Sequence, residues 1–77
     1  MKTRATFERN ALMSAAMLIS DDPDARPFYV FCSIPGGKPF ASFNSDGTKP
    51  IGVVGAPTIA SHSQFKSFVC ERFEVTP

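Results

Sequence analysis

The segment Phe28-Tyr-Val-Phe-Cys-Ser-Ile34 constrains the fold more than any other stretch of the chain. Pro27 closes it on one side and Pro35-Gly36-Gly37 on the other. A run of β-branched and aromatic residues between turn signals specifies a strand. Alternation puts Phe28, Val30, Cys32 and Ile34 on one face and Tyr29, Phe31 and Ser33 on the other. Neither face is polar in character. Such a strand belongs at the centre of a sheet, or in a sheet covered on both sides.

The residues that follow predict antiparallel neighbours. Pro35-Gly36-Gly37-Lys38 reads as a hairpin turn, with glycine supplying the positive φ that tight hairpins demand. Residues 39–43 form a second strand, Asn44-Ser45-Asp46-Gly47 a second turn, and residues 49–54 a third strand. Pro50 and Gly52 weaken that strand, and Pro50 favours an edge. Ser61-His62-Ser63-Gln64 fits a capping box, so a helix is expected from about 62 to 71, with Phe65, Phe68 and Val69 as its apolar stripe. Residues 72–75 alternate in polarity and fit either a fourth strand or a helix continued to Phe73.

At the other end, residues 5–20 read as an amphipathic helix. Ala, Leu and Met dominate, Gly and Pro are absent, and Thr3 or Thr6 can cap the start. Phe7, Ala11, Leu12, Ala15, Leu18 and Ile19 share an arc about 140° wide at helical pitch. Residues 21–27, with their Asp and Pro clustering, form a loop. The expected fold is therefore α+β: one domain over residues 1–77, with a small antiparallel three- to four-stranded sheet and two helices, in the order α-β-β-β-α(-β). The helices cover both faces, or they share one face and a second subunit covers the other.

Composition narrows the function classes. With eight basic and seven acidic residues and a net charge of +1, the chain lacks the basic excess of strong nucleic-acid or membrane-surface binders. Cys32 and Cys70 form no C-x-x-C pair. With His62 the single histidine, no zinc ligand set can be assembled. Two buried thiols are the expected state, with a disulfide as the alternative. Lys2 and Arg4 before the apolar run 11–19 superficially resemble a leader, but Glu8, Arg9 and Asn10 interrupt it. No stretch approaches the ~20 apolar residues of a membrane span. A cytoplasmic location is expected, with no membrane partner.

No residue set reads as catalytic. His62 is expected to be exposed in the first helical turn, and its neighbours Ser61 and Ser63 diverge from it. Asp21, Asp22 and Asp24 lack the spacing and glycine of a calcium loop. Residues 52–58 lack the Gly-Lys-Ser/Thr ending of a phosphate loop. No metal and no cofactor is expected.

Two binding surfaces remain. Met13 and Met17 fall off the apolar arc of the expected first helix, one turn apart, with Arg9 as a polar rim. Adaptable methionines there suit a protein partner. The alternative is a single-stranded nucleic-acid site of Tyr29 and Phe31, with Phe43 or Phe40 on the next strand and Lys38 and Lys49 near the strand ends. Eight Phe, one Tyr and no Trp favour a dry core over a binding face. The expectation is a small non-enzymatic protein-interaction module. It would be an inhibitor or adaptor that occludes a partner protein, of the kind phages and mobile elements often encode, and a homodimer.

Overall fold

The computed structural model of the chain describes residues 3–24, 27–43 and 51–75. Five strands and one helix follow in order: β1 (Thr3–Arg9), β2 (Met13–Ser20), β3 (Phe28–Ser33), β4 (Phe40–Phe43), β5 (Ile51–Gly52) and α1 (His62–Arg72). The strands form one antiparallel sheet in sequence order, β1-β2-β3-β4-β5. The α+β class and the antiparallel sheet agree with the sequence. The two-helix order α-β-β-β-α(-β) does not. The turn expected at residues 44–47 and Lys49 lie outside the described residues.

The correction concerns residues 5–20. They are the β1–β2 hairpin, not a helix, paired from Thr3↔Ser20 to Arg9↔Ser14. Asn10 makes the reversal. Its Oδ1 accepts from the N–H groups of Leu12 (2.8 Å) and Met13 (2.9 Å), and its own N–H donates to the Met13 carbonyl (2.9 Å). A short polar side chain bonding the backbone two and three residues on is turn chemistry. Leu12, expected in the core, sits on the turn at 76 % exposure.

Register sorts every strand residue onto one of two faces. The inner face carries Ala5, Phe7, Ser14, Ala16, Leu18, Val30 and Cys32, and α1 packs on it through Phe65 and Val69. Ala16 is fully buried, and its small side chain leaves room for the helix. Phe7 meets Phe65 edge-on at 6.4 Å, and Phe28 meets Phe73 at 5.4 Å. Ile59 and Val75 complete the core.

The helix ends follow the sequence. Ser61 is the N-cap, its Oγ accepting from the Gln64 N–H at 3.2 Å, and Gln64 Oε1 accepts from the Ala60 N–H at 3.0 Å. The helix stops at Arg72, where Phe73 is the C-cap and Glu74 adopts φ 54°. Beyond it Val75 makes one parallel bridge to Thr3 rather than a full strand. Both cysteines are free thiols, Cys32 buried and Cys70 half-buried. The β3–β4 loop closes tightly on β3, because a Cβ on Gly37 would lie 2.3 Å from the Ser33 carbonyl oxygen.

Replacing Asn10 by Ala is expected to lower stability by about 1–2 kcal/mol, through two lost side-chain hydrogen bonds, as measured by urea denaturation. In a helix the same change would stabilise, so a gain would contradict the hairpin.

Candidate functional site

The second face of the sheet is the first candidate site. The alternation that sends Ser14, Ala16 and Leu18 inward sends Met13, Ala15, Met17 and Ile19 outward. Tyr29 and Phe31 from β3 and Phe40 from β4 join them by register. Arg4, Thr6 and Glu8 of β1 form one border of this outer face. Among the described residues the one helix packs on the opposite face, and at the β4 end Phe40 lines a cavity with Val53, Gly55 and Ala56 of the following loop.

Contacts within the outer face are lateral. The Tyr29 and Phe31 rings stack at 5.8 Å with 19° between their planes, and the Tyr29 hydroxyl donates to Met17 Sδ at 3.4 Å. Phe40 is 50 % and Met13 38 % exposed. Ala15 floors a dent of about 130 Å³ walled by Thr6, Glu8, Met17 and Tyr29.

The second candidate lies at the end of the inner face. Ser14, 1 % exposed, places its Oγ 2.7 Å from His62 Nδ1, joining β2 to the first turn of α1. The imidazole also lies along the Phe65 ring at 6.3 Å. His62 is thus half-buried and engaged, where the sequence predicted exposure. Arg9, Asn10, Ala11, Ser14, Ile34 and His62 enclose an open pocket of about 290 Å³. Burial holds the imidazole pKa below its usual value, and the positive charges of Arg9 and Lys66 add to this. Serine and histidine resemble part of a nucleophile–base–orienter set, but no carboxylate lines the pocket to orient the ring.

The residues picked from sequence are therefore divided. Met13 and Met17 share the outer face, whereas Arg9 pairs across from Ser14 on the inner side and belongs to the pocket. Tyr29 and Phe31 share the outer face with the methionines, so the two surfaces expected separately are one. Phe43 takes a register position opposite Phe28, and Phe40 is the outer-face aromatic of β4. Lys38 is exposed in the β3–β4 loop, off the strands. Ser14, Ala15 and Ile19 were missed. Period-2 alternation in residues 3–8 was the signal that could have found them.

Around the acidic loop, Asp22 Oδ1 accepts from the Asp24 N–H at 2.9 Å, which is turn geometry. Among the described residues no three His, Cys, Asp or Glu side chains gather as metal ligands, and no helix is long and apolar enough to cross a membrane. No family model, no curated protein and no solved structure matches the chain.

The folded chain favours neutral His62, while the unfolded imidazole titrates near 6.5. Between the two values the unfolded chain binds more protons, so this contribution to stability is complete above 6.5 and is lost as pH falls through the folded value. The unfolding midpoint is therefore expected to fall on acidification just below pH 6.5, before the carboxylates titrate near about pH 4. His62→Ala is expected to flatten that slope in urea titrations run at a series of pH values. An unchanged slope would show that His62 does not set it.

Proposed function

We propose that the chain is a non-enzymatic protein-interaction module, and that its outer sheet face is the contact surface. The observation that carries this is the one-sided cover of the sheet. Met13, Met17, Ile19, Tyr29, Phe31 and Phe40 share one face by register, and α1 packs on the other. Patches of this kind on small proteins mark interaction sites. The mix also suits the role: methionines adapt to a partner, and the one tyrosine brings a polar handle to an apolar ring. The dent over Ala15 would receive an apolar side chain of the partner, the arrangement in which binding energy concentrates.

The partner is another protein, occluded by contact with this face. Inhibition and bridging are the two ways such contact would act. Homodimerisation is the form of the same interaction that the chain can display alone. Arg4 and Glu8, at opposite ends of the outer border of β1, would pair reciprocally across a two-fold axis.

Single-stranded nucleic acid is the second reading, favoured by Tyr29 and Phe31 lying together on an open sheet. Less supports it. The two rings stack on each other rather than apart, and among the described strand residues Arg4 is the one cation on this face, with Glu8 on the same strand.

The chain holds one tyrosine and no tryptophan, so intrinsic fluorescence reports Tyr29 alone. Self-association should appear as a concentration-dependent change in Tyr29 emission, with sedimentation above 8.3 kDa. Met13→Glu with Met17→Glu should abolish both while leaving cooperative unfolding intact. For a captured protein partner the double variant should weaken binding at least tenfold. Equal binding by wild type and variant would remove the outer face as the contact surface. Salt-sensitive quenching by oligothymidylate, with no protein contact, would select the nucleic-acid reading.

A further inference from the structure

We propose that the pocket between the β1–β2 turn and the start of α1 binds a small oxyanion, a carboxylate or phosphate group, held by Arg9 and His62. The site is separate from the outer face and stands independently of it.

Placement is the first support. The strand register puts Arg9 opposite Ser14, and Ser14 holds His62 at 2.7 Å. Residues 9, 14 and 62 thus meet from three parts of the chain at one cavity of about 290 Å³. A water takes about 30 Å³ of liquid, so the space admits an oxyanion with part of its hydration.

Chemistry is the second. When the Ser14 hydroxyl donates to Nδ1 of a neutral imidazole, the ring proton sits on Nε2, and that N–H is left as a donor. Asn10 commits its Oδ1 to the turn, so the part of its side chain still unspent is its amide donor. Arg9 contributes a planar fork of donors that matches an oxyanion. The side chains of Arg9, Asn10 and His62 thus offer the pocket donors and a positive charge.

The missing complement is the third. No carboxylate lines the pocket. The nearest in sequence, Glu8, stands opposite Ala15 and belongs to the outer face by alternation. Lys66, whose Nζ lies 5.6 Å from the Phe7 ring centroid, adds positive charge on the helix side. An anion would relieve the mutual repulsion of Arg9, Lys66 and protonated His62, so binding should strengthen as pH falls through the imidazole range.

The single histidine makes the test direct, because its ring C–H resonances need no assignment. The full chain is titrated with inorganic phosphate, with ionic strength held constant by sodium chloride. The expected result is a saturable shift of the His62 resonances and a rise in its titration midpoint of about half a unit or more. Arg9→Gln should weaken the phosphate response about tenfold, as loss of a charge-assisted contact would. Lys38→Gln, away from the pocket, should leave it unchanged. A response that does not saturate, that chloride alone reproduces, or that both variants reduce equally would overturn the site. Amide spectra of each variant report whether the fold is kept.

Discussion

The structure depends on the pairing register of β2. Its sequence, Met13-Ser-Ala-Ala-Met-Leu-Ile-Ser20, is close to apolar on both faces, so hydrophobicity alone sets its register weakly. A slip of one residue exchanges the two faces of a strand. Such a slip would bring Met17 under α1 where Ala16 now lies fully buried, and the helix would have to lift by the length of a methionine side chain. It would also expel Ser14 and leave His62 without its partner. Small size at Ala16 and polarity at Ser14 therefore select the observed face, and the Asn10 turn fixes the count between β1 and β2.

Among the described residues, that selection leaves one face without a helix. The single helix α1 has eleven residues and spans about 16 Å. The eight-residue β2 alone runs about 27 Å. The helix meets β1 and β2 most closely, and Ile59, Phe73 and Val75 from the flanking segments help close the remaining core. At about 16 Å, α1 is shorter than the strand it crosses and serves one face of the sheet. Among the described residues, the outer face is what remains once one helix has packed on the other.

Most of the second half was legible in the sequence. The strand from Phe28, one residue shorter than expected because Ile34 joins the turn, the Gly36-Gly37 turn and the Ser61/Gln64 cap all depend on neighbours within a few residues. The first half was misread because Ala, Leu and Met carry high helix propensity, and because an apolar arc can be drawn through a strand whose faces are both apolar. Tertiary pairing overrode propensity. The telling evidence was in β1, where Ala5 and Phe7 alternate with Arg4, Thr6 and Glu8, and in Asn10. The assignment of every Phe to the core was also too simple. Phe65 is buried and Phe7, Phe28, Phe68 and Phe73 pack against the core, but Phe31 and Phe40 are on the outer face. The Ser14–His62 contact joins residues 48 positions apart, and no local pattern encodes a contact of that span.

Both candidate surfaces are consequences of one alternating strand. Met13 and Ala15 point out while Ser14 between them points in, so adjacent residues serve opposite sides of a single-layer sheet. Neither surface can be optimised freely. A larger residue at Ala15 would fill the dent without disturbing the core, because its side chain never reaches α1. A larger residue at Ala16 would reach it at once and change the helix height on which the His62 position depends. The pocket is thus tied to packing of the core in a way the outer face is not. The outer face is the more tolerant of the two to substitution, as the contact surface proposed for it would require.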